Sequence, residues 1–98
     1  MSLPVVTRSR AEDEIQAAFR WYEREHEGLG VDFLDTVDRV VAIIADYPEG
    51  FPIVHRDIRR AVLKRFPYSV LYRLKADHLI IVGCFHSKRD PKSWQARH

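Results

Sequence analysis

Side chains capable of chemistry lie mostly in the second half of this 98-residue chain. His86 ends a long apolar run and is followed by Lys88 and Arg89. An imidazole can both take and give a proton. Cleaving an RNA phosphodiester needs a base for the 2′-hydroxyl, an acid for the leaving oxygen and cations for the phosphorane charge. His86 and its cationic neighbours have those types. The same residue can instead bond the C-terminal turn and hold Trp94 in place, and this structural use is the favoured one. Cys84 sits in the apolar run, where a thiol is ordinarily inert packing. Ser69, Ser87 and Ser93 lack the strand–turn–helix context of a nucleophile elbow. His26, His55, His78, His86 and His98 are scattered and stand at no metal-ligand spacing to Cys84, so no metal is expected. Gly28 and Gly30 fall between two helical patterns, not between a strand and a helix, so they form no phosphate loop. No cofactor is expected.

Charge supplies a second kind of candidate. Residues 1–50 hold 5 Lys/Arg and 11 Asp/Glu, a balance of −6, and residues 51–98 hold 11 against 3, a balance of +8. The two sum to the chain's +2. A molecule so divided attracts anionic partners with one half. The alternative is that acidic helices pair with a basic sheet inside the fold. Arg59, Arg60, Lys64, Arg65 and Arg73 lie on neighbouring predicted strands, and Lys88 and Arg89 come just after the last one. Such a surface suits nucleic-acid phosphates or an acidic protein segment.

Periodicity predicts the scaffold that carries these residues. Pro4-Val5-Val6-Thr7 predicts a strand over 3–8. Ser9 and Glu12 have the spacing of a capping box. Ala11, Ile15, Ala18, Phe19 and Tyr22 then recur at helical spacing to about Glu27, with Gly28 as the C-cap. Trp21 and Tyr22 are adjacent, so one packs and the other lies at a rim. A second helix runs from about Val31 to Asp46 on Phe33, Leu34, Val37, Val40, Val41 and Ile44, and Pro48 ends it. Helices joined so closely form an antiparallel hairpin. Residues 47–52 are a turn-rich joint. Three strands come next, over Ile58–Phe66, Tyr68–Leu74 and Leu79–Phe85, the last apolar throughout as a strand buried on both faces is. The tail contains Pro91 and Trp94 and has room for one helical turn. The order is β-α-α-β-β-β, an α+β fold with an antiparallel-rich sheet. The helix hairpin covers one sheet face and the other is left open.

Composition bounds the class. At 46% apolar and 31% charged the chain resembles a folded globular protein rather than a disordered one. Its length predicts one domain over residues 1–98. No apolar run reaches the ~18 residues that span a bilayer. Met1-Ser2-Leu3-Pro4 lacks a basic start and an apolar signal core. A lone cysteine suits a reducing compartment. A cytoplasmic location is therefore expected.

Several stretches together resemble a known family. They are Ala17-Ala18-Phe19-Arg20-Trp21-Tyr22-Glu23, Gly28-Leu29-Gly30-Val31-Asp32-Phe33 and Phe51-Pro52. After them come Arg59-Arg60-Ala61-Val62-Leu63-Lys64-Arg65-Phe66-Pro67-Tyr68 and Phe85-His86-Ser87-Lys88-Arg89-Asp90-Pro91 with Trp94. From Val5 to Trp94 the chain resembles the ParE/RelE superfamily of type II toxin–antitoxin toxins, and looks most like the ParE branch. The resemblance implies the RelE/ParE-like toxin fold and a role in toxin–antitoxin or plasmid-stabilization systems. It implies a cognate antitoxin whose acidic, partly disordered C-terminal segment folds onto the toxin. It implies DNA gyrase as target for ParE-like members, or ribosome-bound mRNA for RelE-like ones. Ribonuclease members tend to carry arginine where Ser69 stands and a basic residue where Phe85 stands, which favours a gyrase inhibitor without chemistry of its own. The alternatives are an mRNA endoribonuclease using His86 with Arg65, Arg73 or Arg89, and a degenerate member that binds its antitoxin without toxicity. The residues expected to meet antitoxin or target are Arg59, Arg60, Lys64, Arg65, Arg73, His86, Lys88 and Arg89.

Overall fold

A computed structural model describes residues 2–96. The elements are β1 (Val5–Thr7), α1 (Ser9–Glu25), α2 (Leu29–Asp46), β2 (Ile53–His55), β3 (Ile58–Val62), β4 (Tyr68–Leu74), β5 (Leu79–His86) and α3 (Lys92–Gln95). One five-stranded sheet has the order β1-β5-β4-β3-β2. Strands β2 to β5 are antiparallel neighbours, and β1 joins β5 in parallel. The expected α+β architecture is present, with one more strand than the periodicity showed.

The helix hairpin lies on one sheet face. Ala11, Ile15, Ala18 and Tyr22 of α1 and Phe33, Val37, Ile44 and Ala45 of α2 are buried against Ala61, Val70, Tyr72, Leu79, Ile81 and Cys84. Rings of Tyr22, Phe33, Phe66 and Tyr68 meet with centroids 4.9–6.1 Å apart. Such pairs add roughly 0.5–1.5 kcal/mol each beyond burial. The Tyr72 hydroxyl, brought into the core with its ring, donates to the Pro48 carbonyl at 2.6 Å. The sheet's other face is not left open as expected. Trp94 of α3 packs there on Ile58, Leu71, Val82 and Phe85.

Several local expectations need correction. Arg8, not Ser9, caps α1, and no side-chain cap bond forms there. The chain leaves β1 with the Arg8 amide still bonded to the Ile81 carbonyl, so no residue is spare between strand and helix. The helix then closes on the Arg8 carbonyl, which accepts from Glu12 N–H. Gly28 does not cap α1; His26 does. Gly28, at φ 87°, begins α2 two residues earlier than expected, a left-handed conformation that glycine adopts without strain. Gly30 lies inside α2, where an added Cβ would stand 2.6 Å from the Phe19 carbonyl oxygen and 2.8 Å from the Phe19 ring. β3 stops at Val62 rather than Phe66, because Arg65 turns at φ 72° ahead of Pro67. On β5, Val82 is an extra residue between the pairs Leu71–Gly83 and Tyr72–Ile81. This bulge reverses the facing of the strand beyond it, sending Cys84 to the helix side and Phe85 to the Trp94 side.

Candidate partner-docking site

The predicted cations do not form one surface. Strand alternation sends Arg59 to the helix side, opposite Tyr72, and Arg60 to the other, opposite Leu71. Arg59 is used internally: its guanidinium donates to the Phe51 carbonyl at 2.7 Å and the Glu49 carbonyl at 3.4 Å. It fastens the loop after α2. Arg73 is also engaged, with Nε 3.0 and 3.1 Å from the two Asp57 oxygens. That bond holds the Asp57 carboxyl below its usual range, as the nearby Arg73 charge does to a lesser degree.

Lys64 and Arg65 stand elsewhere, in the loop after β3. With Arg39 of α2 they rim a groove of about 410 Å³ whose further lining is Thr36, Val40, Ile43, Phe51 and Val62. Ile43 is 50% and Val62 61% exposed, so apolar surface faces solvent here between three cations. Arg65 is 3.5 Å from Asp32, both side chains being exposed, and such a pair contributes about 0–1 kcal/mol. The groove also borders an open sheet edge. Leu63 N–H bonds to the Tyr68 carbonyl, so parity turns the Val62 N–H and C=O away from β4. They face outward beyond Pro52, whose carbonyl takes the last rung from Arg60. An apolar floor, a cationic rim and a free strand edge suit an acidic segment laid alongside in extended form.

The remaining candidates gather at the end of β5. The Arg89 amide bonds to the His86 carbonyl, and Lys88 N–H donates to His86 Nδ1 at 3.1 Å. That bond makes Nδ1 an acceptor and leaves Nε2 as the protonated nitrogen of the neutral ring. His86 stacks edge-on to Tyr68, not to Trp94; it is His55 whose ring meets Trp94. Of the arginines expected to assist His86, only Arg89 adjoins it. Arg73 pairs with Ile80, six residues back along β5 from His86, about 16 Å or more at strand rise. Arg65 lies in the groove. Cys84 is unreactive: burial, then the Glu14 charge, pushes its thiol up to about 12. Among the described residues, no three His, Cys, Asp or Glu side chains are placed to hold a metal ion, and no helix is long and apolar enough to cross a membrane.

Sequence reasoning missed the helical wall of the groove. Arg39, Val40 and Ile43 fall on a helix read as packing inward, and only Ile43, lying off the α2 stripe, signals an outward apolar patch.

Comparison with known families decides the kinship. The family described as "ParE toxin of type II toxin-antitoxin system, parDE" matches residues 5–91. The chain belongs to that family. Among solved structures, a chain of the chromosomal ParDE toxin–antitoxin system from P. aeruginosa is similar at TM-score 0.77 and 16% identity, over 87% of this chain and 96% of that one. At that identity it shows a shared fold. No curated protein matches the sequence. As a ParE-type toxin of a type II toxin–antitoxin system, the chain is expected to have a cognate antitoxin.

Proposed function

We propose that this ParE-family chain is a cytoplasmic, single-domain inhibitor of DNA gyrase, held inactive by an acidic antitoxin segment in the α2–β3 groove. The observation that carries the antitoxin part is the groove itself: Arg39, Lys64 and Arg65 around half-buried Val40 and exposed Ile43 and Val62, beside an unpaired strand edge. An acidic, amphipathic chain gains there from charge, apolar burial and main-chain bonds at once.

The gyrase part rests on family membership together with the scattering of the groups that RNA cleavage needs. Ser69 is buried opposite Phe85, and neither can hold a phosphorane. A second reading, mRNA cleavage, draws on one contact, the turn that places Arg89 beside His86. The two readings part in one experiment. Purified protein is expected to block gyrase supercoiling at micromolar concentration, to release it when antitoxin is added, and to leave ribosome-bound mRNA intact. Uninhibited gyrase together with mRNA cuts that vanish in His86→Ala would replace the first reading by the second.

A further inference from the structure

A separate cavity of about 280 Å³ lies at the outer margin of α1, lined by Glu14, Ala17, Ala18, Trp21, Tyr68, Cys84, His86 and Arg89. α1 packs over β5, while the docking groove is bounded by α2 and β3, so the two openings occupy different margins of the hairpin. Glu14, Ala17 and Trp21 share one stripe of α1 at spacings of three and four. The two alanines keep the floor low. Trp21 is 50% exposed at the lip, and its indole is set edge-on against buried Tyr22 at 5.1 Å. The neighbouring wall is His86, edge-on to Tyr68 at 5.1 Å.

The polar groups are held in place. Strand β1 ends too early to cover the whole of β5, and the Cys84 amide bonds instead to Glu14 Oε1 at 3.2 Å. Glu14 Oε2 in turn lies 3.8 Å from Arg89. The Arg89 guanidinium also sits 4.8 Å from the Phe85 ring centroid. A guanidinium has five donors in a planar fork, so these contacts orient it and leave donors for a ligand. Lys88 adds a second exposed cation on the same turn.

The geometry points to a nucleotide-binding site in this cavity, with the base stacked on Trp21 and the phosphate on Arg89. The volume, just under the usual range for small-molecule pockets, admits one ring system. A flat alanine floor between an indole and an imidazole accepts a planar ring, and stacking is indifferent to base identity. A guanidinium at the mouth matches phosphate in charge and shape. The shared chemistry is a base bearing a phosphate, free or within a single strand. This site does not depend on the gyrase reading.

Titration followed on the backbone amide NMR signals of Ala18 and His86, which line the cavity and persist in every variant, tests it, using 5′-AMP, inorganic phosphate and a short oligothymidylate. Saturable shifts with AMP or the oligonucleotide are expected, with affinity falling about tenfold or more in Trp21→Ala and in Arg89→Ala and unchanged in Lys64→Ala. Saturation by the oligonucleotide at far lower concentration than AMP identifies a strand as the source; similar affinities identify the free nucleotide. Circular dichroism confirms that each variant is folded. Three results overturn the site: no shift with either nucleotide probe up to about 10 mM, shifts with phosphate alone equal to those with AMP, or AMP affinity unaffected by Trp21→Ala.

Discussion

Arg59 and Arg60 are chemically identical neighbours with opposite fates. The first donates to two carbonyls of the loop that joins α2 to β2; the second is exposed on the far sheet face. Arg59→Ala is therefore expected to destabilise the fold by about 1–3 kcal/mol, the range for losing hydrogen bonds to a charged group, while antitoxin affinity stays the same. Thermal unfolding beside calorimetric titration checks this. A lost affinity with unchanged melting would place Arg59 in the interface instead. The sequence showed that positive charge collects after residue 50. It could not show which cations are used up internally, because that depends on the carbonyls of a loop and on Asp57, neither of which periodicity positions. The tautomer of His86 was hidden for the same reason: its partner is the backbone amide of Lys88.

Among the elements, the two helices were legible from their 3.6-residue repeat, β3 and β4 from their strand-like runs, β5 from its unbroken apolar run, and β1 from its β-branched residues. β2 was not: three residues are too few for a period, and only two of them are β-branched where all three of β1 are. The parallel pairing of β1 with β5 was not either, because it joins residues more than seventy apart. The bulge had one written sign, Gly83 within an otherwise apolar strand. Hairpin geometry makes a prediction of its own. At Gly30 the two helices approach so closely that a methyl group meets the Phe19 carbonyl at 2.6 Å. Gly30→Ala is expected to cost about 1–3 kcal/mol, as overpacking does, with α1 and α2 forced apart. Urea unfolding measures it. Full stability in this variant would show that the hairpin has slack the structure does not have.

The whole molecule turns its charge division into separate surfaces rather than one basic face. α2 and the loop after β3 frame the docking groove. The His86–Arg89 turn and α1 frame the ring-sized cavity. Arg73, tied to Asp57, lies at neither. Domain-scale composition announced an anionic partner; only the fold could say that Lys64 and Arg65 meet an apolar wall supplied by Val40 and Ile43 of a helix from the acidic half. Everything proposed for the groove depends on the antitoxin's acidic segment lying in it. The decisive measurement is the affinity of toxin for antitoxin across a range of salt concentrations, for the Lys64→Glu/Arg65→Glu variant against Arg60→Glu. The first is expected to lose affinity about tenfold or more at low salt and to show a flatter salt dependence, while Arg60→Glu binds as the unaltered chain does. Full affinity in Lys64→Glu/Arg65→Glu, with the loss appearing in Arg60→Glu, would move the antitoxin to the opposite sheet face and refute its placement in the groove.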